Sequence, residues 1–505
     1  MALTKLRSLP VLCAVTAASG LLACGAAETP QSNPTTSSTF LSGAEDAAYE
    51  RGMRASLQGD AAEAEAHFRD ALAANPRYLA AHLALGDVLL EQARFEEARA
   101  HYRAAVALRS TSVYAHLGDA RATLALGEVT EAVSSADQSV RLAQEYGGPE
   151  LLSEARTLLA EAYEEAGLPD DAVAAYEAAL SALATATRAR TRLARLYDAR
   201  GERSEAVRLL RQGEAYLNGA DDYASLAAAY VELGVYSSAM PLLQTARALD
   251  PSDDDVLSHF ALAAVRVGEA EAAIDAATEL LARAPDRLDA YVVRAEGRWR
   301  RGLVESARGD LAQVFSHNPD HFGATLLLAD IEAGEGDDDA AAAHFAAALT
   351  MRPGDGQATA RAAEFYADRG RFDDVVSVLA PVIALDERTE RWLQLYSEAL
   401  VALGRHPEAV AYMSAYAEHR PQDHALHLSV ARQALQHPGA LDTETTLRHA
   451  RLALEACTGA PLTYRLTLID ALLAAGATGE ARDVLELAEG AFPGAVELRE
   501  RRNQL

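Results

Sequence analysis

The chain has 505 residues, 50% hydrophobic, 24% charged and only 6% aromatic, a balance that excludes both a disordered polyampholyte and a bundle of membrane spans. Its 74 acids against 46 lysines and arginines give a net charge of −28, which repels phosphate backbones and argues against nucleic-acid binding. Three cysteines cannot build a disulfide framework.

The first element is an N-terminal leader. Lys5 and Arg7 precede an apolar run from Leu9 to Ala23. At about 15 residues the run is shorter than the ~20 of an ordinary membrane span and suits the hydrophobic region of a signal peptide. It ends Leu21-Leu22-Ala23-Cys24-Gly25, which resembles the lipobox of bacterial lipoproteins. That resemblance implies a signal peptide over 1–23 and Cys24 as the lipid-modified first residue of the mature chain. Gly25 after the cysteine, rather than Asp, is similar to lipoproteins sent to an outer membrane and implies an anchor there, facing the periplasm. Leu22 is bulkier than the small residue usual at its position, and Gly25-Ala26-Ala27 offers ordinary signal peptidase a small-x-small site. Cleavage without lipidation therefore stays open. With Cys13 removed and Cys24 acylated, only Cys457 keeps a thiol, so stability must rest on packing.

Residues 24–43 follow as a tether. From Gly25 to Ser42 they are small, polar and interrupted by proline, with an r.m.s. span of roughly 20–25 Å.

From residue 44 the sequence repeats. A small residue marks the register at Ala64, Ala98, Ala132, Ala172, Ala206, Ala239, Ala273, Ala307, Ala341, Val375, Ala409, Thr446 and Ala481, mostly at 34-residue intervals. Five residues earlier there is usually a glycine, from Gly59 to Gly476, and twelve later often a proline, from Pro76 to Pro493. Each unit predicts two helices. The first ends at a glycine able to take the left-handed conformation, and the second opens on acids such as Glu96-Glu97 or Asp337-Asp338-Asp339 and stops before proline. Helices this short are marginal alone, so each pair needs its neighbour's apolar face.

The pattern resembles the tetratricopeptide repeat. Gly52, Ala64, Phe68, Ala71 and Pro76 of the copy spanning Glu45–Tyr78 occupy that family's small, small, aromatic, small and proline positions, and Leu85, Gly86, Ala98, Tyr102 and Ala105 repeat them. The resemblance implies an all-α, right-handed α-α superhelix of about 13 helix pairs over 44–494, with 495–505 as a C-terminal capping helix and tail. The third and twelfth units carry insertions, at Gly147-Gly148-Pro149 and Gln436-His437-Pro438-Gly439, where a changed curvature or a bulging loop is expected.

No phosphate-binding loop, GxSxG, HExxH or CxxC motif occurs, and no strand-rich region could hold a catalytic domain. The expectation is no enzyme, no catalytic residue, no cofactor and no metal. His424 and His427, three apart on one helical face among His406, His419, His437 and His449, are the strongest metal candidates, but no cysteine or carboxylate completes their spacing. Asp253-Asp254-Asp255 and Asp337-Asp338-Asp339 lack the alternation of a calcium loop and fit helix N-termini.

In tetratricopeptide proteins the outward face of the first helix lines a concave groove. The position on it eleven residues before each of the first eleven markers reads Met53, Asp87, Arg121, Glu161, Arg195, Ala228, Leu262, Glu296, Asp330, Glu364 and Glu398. Asp87, Glu161, Glu296, Asp330, Glu364 and Glu398 would form an acidic stripe, with Trp299 beside Glu296 as an apolar anchor and Arg391 near its end. As a site, the stripe suits an extended basic or amphipathic partner segment, and its last four acids could become glutamine with little loss of stability. As ordinary surface, it is the solvated face of an acidic protein.

The expected function is a membrane-anchored, non-catalytic protein-interaction scaffold of the bacterial cell envelope. By resemblance, its processes include outer-membrane assembly, pilus biogenesis or secretion, and polysaccharide export. Two other readings are a soluble periplasmic chaperone-like protein, differing by the lipid alone, and a metal-binding envelope protein using the C-terminal histidines.

Overall fold

A computed structural model describes residues 43–383, 390–455 and 459–505. The leader, Cys24, the tether and Cys457 lie outside these residues. The described residues form 27 α-helices and no strand, and none of these helices is long and apolar enough to cross a membrane.

The helices fall into thirteen antiparallel pairs, each an A and a B helix, followed by the terminal helix Val496–Arg502. The first pair is Ala44–Leu57 with Ala61–Ala74, the second Leu79–Glu91 with Phe95–Leu108, and the last Leu462–Ala474 with Thr478–Ala491. By contact, the chain divides into two compact units, the first ending at Ala276 and the second beginning at Ala277. The division falls inside the B helix of the seventh repeat, Ala270–Arg283.

All thirteen register residues are buried, including Val375 and Thr446, where the small alanine is replaced. Small side chains there let the A and B backbones approach, and in repeats 1, 2, 4 and 9 an aromatic four residues on (Phe68, Tyr102, Tyr176 or Phe345) fills the space beside them. Tyr102 shows the fit. A Cβ on Gly86 would lie 2.7 Å from its ring, and one on Gly118 of the following repeat would meet the ring still more closely. Tyr102 is thus wedged between two successive A helices at points where neither carries a side chain.

The glycine five residues before each marker takes the left-handed conformation wherever it occurs, for example Gly59 at φ 79° and Gly268 at φ 92°. The second repeat has Ala93 there, at φ 59°, the one positive-φ residue other than glycine among the described residues. The interhelix turn therefore dictates the conformation and the residue follows at a cost.

The two insertions are absorbed differently. In the third unit there is no bulging loop; the extra residues lengthen the helices on either side, Val129–Tyr146 and Pro149–Glu165, to 18 and 17 residues. Pro149 at the first helical position and the Gly147-Gly148 pair end one helix and start the next within two residues. In the twelfth, the addition is a loop at 437–442 between His424–Gln436 and Thr443–Glu455.

The acids at helix starts act as caps and as partners for arginine. Asp253 accepts from the backbone N–H groups of Asp255 and Val256 at 2.8 and 3.1 Å, and Asp337 from that of Ala340 at 3.2 Å. Arg371 Nε donates to Asp374 at 2.7 Å.

Two substitutions test this account. Ala93→Gly removes left-handed strain and should stabilise the protein by about 1 kcal/mol, seen as a higher urea midpoint. Gly86→Ala inserts a methyl against Tyr102 and should cost about 1–3 kcal/mol in the same titration. A neutral result for both would mean that the turn and the aromatic wedge do not set the helix spacing.

Candidate functional site

Successive A helices stand close to one another, as Leu79–Glu91 does to Val113–Ala125 and Phe322–Glu335 to Gly356–Asp368, while successive B helices stand farther apart. Within each unit, therefore, the A helices form the inner side. The expected stripe lies on these helices, but as a line of open carboxylates it does not survive inspection.

In the first unit the stripe is neutralised. Glu161 is buried and receives two parallel hydrogen bonds from Arg188 of the next A helix, both 2.7 Å. Arg121 pairs with Glu154 and Arg195 with Glu232, each again reaching the following A helix. Asp87 is enclosed and accepts from the Tyr102 hydroxyl at 2.6 Å. Burial pushes its carboxyl up to about 6, against the lowering pull of the Tyr102 hydrogen bond and the Arg121 charge.

In the second unit two of the four stripe acids are held and two are open. Glu296 is buried and pairs with Arg300 on its own helix at 2.8 Å. Asp330 pairs with Arg361 of the next A helix. Glu364, with a side chain 54% exposed, comes only within 3.9 Å of Arg391. Glu398 faces solvent and accepts from the Gln394 side-chain amide at 2.8 Å. Trp299 is not a free-standing anchor: it packs partly buried with Tyr291, Leu327 and Ile331 of its own and the next repeat, its indole edge toward the bare backbone of Gly334.

The expected low stability cost of neutralising Glu296, Asp330, Glu364 and Glu398 together therefore needs correction. Removing a buried carboxylate strands its arginine. The structure keeps Glu364 and Glu398 as accessible acids on adjacent A helices, buries Glu296 against Arg300 of its own helix and ties Asp330 to the next A helix.

Sequence reasoning missed the partners. Glu161 and Arg188 are 27 residues apart, and Asp330 and Arg361 are 31 apart. Asp470, at the same repeat position, meets Arg501 of the terminal helix in two hydrogen bonds of 2.9 and 2.8 Å, again 31 residues on. An acid followed by arginine one repeat later, less one or two helical turns, was the available signal. Lys5 is the chain's single lysine, so every basic partner apart from histidine is an arginine, whose planar fork suits paired hydrogen bonds to a carboxylate.

The histidines are also distributed differently from the metal expectation. His427 turns away from a shared site with His424 and meets His449 instead, Nδ1 to Nδ1 at 2.7 Å, both rings fully buried. His424 stands 5.9 Å from the Tyr464 ring. His406 and His437 stack face to face at 3.8 Å. No group of three or more histidines, cysteines or acids able to hold a metal occurs among the described residues. Asp253 and Asp337 serve as caps, as above.

Glu161→Gln should lower stability by about 1–3 kcal/mol, while Glu398→Gln should change it by less than about 0.5 kcal/mol, both read from urea unfolding. Asp87 gives a pH signature. Its folded value lies above the unfolded one, so its contribution is fully present below the unfolded value and is lost as pH rises through about 6. Asp87→Asn should flatten that part of the stability profile; an unchanged slope would show that the carboxyl is not enclosed in solution.

Four tetratricopeptide-repeat family models match the chain, at residues 49–113 with 89–147, 153–182, 189–218 and 314–457. No curated protein matches it in sequence. Among solved structures, MamA is 24% identical, covering 33% of this chain and 93% of its own, with a TM-score of 0.29. The Cut9–Hcn1 hetero-tetramer of the APC/C is 14% identical and covers 91% of this chain and 96% of its own, at 0.40. PilW, a type IV pilus biogenesis factor, is 18% identical over 42% of this chain and 96% of its own, at 0.35. With its helix pairs, buried register and family matches spread through both units, the chain belongs to the tetratricopeptide-repeat family.

Proposed function

We propose that this protein is a non-catalytic scaffold of the bacterial cell envelope, anchored to an outer membrane through acylated Cys24, that captures an extended basic segment of a partner protein. The repeat family supports protein–protein interaction as the general role. The observation that carries the finer reading is the pair of accessible carboxylates, Glu364 and Glu398, on neighbouring A helices of the second unit. Val401, exposed on the same helix as Glu398, adds apolar surface. A cationic segment lying along these helices would gain charge pairing at Glu364 and Glu398 without displacing the arginines that hold Glu161 or Asp330. The processes that fit such a tethered scaffold are outer-membrane assembly, pilus biogenesis or secretion, and polysaccharide export.

The test has two arms. In pull-downs from envelope extract, Glu364→Gln with Glu398→Gln should reduce partner recovery about tenfold while leaving unfolding nearly unchanged; undiminished recovery removes these acids as the site. Because the mature chain carries no lysine side chain, capture needs a photo- or acid-directed crosslinker rather than an amine-reactive one. In membrane fractionation, Cys24→Ser should release the protein into the soluble periplasm. An unchanged distribution would count against lipid anchoring, and wild-type protein already soluble would favour the chaperone-like reading.

A further inference from the structure

Repeat 11 ends with the B helix His406–Glu418, and repeat 12 comprises His424–Gln436 and Thr443–Glu455. Between them lies the chain His427–His449–Ser414. His427 Nδ1 meets His449 Nδ1 at 2.7 Å, and His449 Nε2 meets the Ser414 hydroxyl at 2.8 Å. All three residues are buried. The contact thus joins the two helices of repeat 12 to each other and to the preceding repeat.

Two imidazole nitrogens at hydrogen-bond distance require one N–H and one lone pair. Neutral rings satisfy this, and so does a pair holding one extra proton, with the imidazolium donating to the neutral ring. When both rings are protonated, each Nδ1 carries hydrogen, no acceptor remains, and two positive charges face each other away from water. The contact cannot persist in that state.

We propose that the His427–His449–Ser414 chain is an acid-released latch that holds repeats 11 and 12 together near neutral pH and lets them part as pH falls.

The surrounding groups favour the uncharged pair. Asp423 and the backbone of Arg420 draw a proton toward His427, and Glu418 draws one toward His449. Burial opposes both, as do Arg448 for each ring and the His427 ring for His449. The result is a lowered His427 and a His449 lowered to about 4. From the following A helix, Leu462–Ala474, Tyr464 stands against the neighbouring His424. Since the folded values lie below the ordinary histidine value, the stabilisation is present above about 6.5 and is lost as pH falls toward the folded values.

The same device occurs in weaker form in repeat 2. His82 and His101 meet Nδ1 to Nδ1 at 3.0 Å between its A and B helices, with His82 Nε2 on the Pro76 carbonyl at 3.1 Å. Arg69 and the His82 ring disfavour a proton on His101, and Glu97 favours one. His101 and His449 both lie three residues after their register markers, Ala98 and Thr446. The first pair is only partly buried and has no serine link, which makes it an internal reference.

The experiment is hydrogen exchange with mass spectrometry on the full chain at pH 7.5 and 5.0, corrected for intrinsic rates. Peptides within 406–455 should lose protection about tenfold on acidification, more than peptides of repeats 8 and 9. His427→Asn keeps a polar group facing His449 but leaves one titrating ring in place of two, and should reduce that difference. Equal acid sensitivity in wild type and variant would overturn the latch. Exchange at the imidazole C2 carbons of the wild type provides a readout independent of any variant: His427 and His449 should titrate below the ordinary histidine value, and ordinary midpoints for both would also overturn it.

Discussion

Everything else in this protein depends on how closely the two helices of a repeat approach. The marker position is buried in all thirteen repeats, and a small side chain there sets the A–B distance. In repeats 1, 2, 4 and 9 the residue four positions later is aromatic, and once that distance is fixed it has only one place to go. In the second repeat it is the slot between Gly86 and Gly118, and Tyr102 fills it so completely that its hydroxyl emerges on the inner side to donate to Asp87. A backbone contact inside one repeat thereby sets the environment of a carboxyl on the inner face. The same constraint explains Ala93: the turn must reverse within a few residues, so even an alanine adopts the glycine conformation.

Electrostatics then joins one repeat to the next. A strongly acidic chain would gain little by lining closely spaced helices with unpaired carboxylates. Instead Glu161 meets Arg188, Asp330 meets Arg361 and Asp470 meets Arg501, each acid reaching an arginine of the helix that follows. Partly desolvated pairs of this kind, two of the three doubly hydrogen-bonded, specify which surfaces may stack more than they add net stability. They also divide the inner face chemically. Carboxylates held by the next helix are unavailable to a partner, whereas those left in water, Glu364 and Glu398, stay available. The last arginine, Arg501, comes from the terminal helix, which thus closes the final repeat by the same contact used between repeats.

The histidines follow a parallel logic. In repeats 2 and 12 a second histidine meets one nitrogen of each ring at the A–B interface. Satisfying one imidazole with another gives a contact that is complete when neutral and untenable when both rings are charged. That is why these side chains are better understood as interhelix ties than as ligands awaiting a metal.

The amino-acid sequence alone determined the all-α architecture, the number of helix pairs and the places where helices end. Those features are written locally and many times over: a glycine, a small residue and a proline at fixed offsets carry the same physical demand in each copy. It also placed Asp87, Glu161, Glu296, Asp330, Glu364 and Glu398 on one series of helices, since equal spacing puts residues on equivalent faces. Which of them are open was decided only by tertiary structure. The outcome depends on whether an arginine 27 or 31 residues away turns toward the acid, and on whether inserted residues become a loop, as in repeat 12, or longer helices, as in repeat 3. Likewise His427 and His424 share a helix and a spacing, yet one is fully buried against His449 and the other is not, because helix packing, and not helical periodicity, chooses which side chains lose their water.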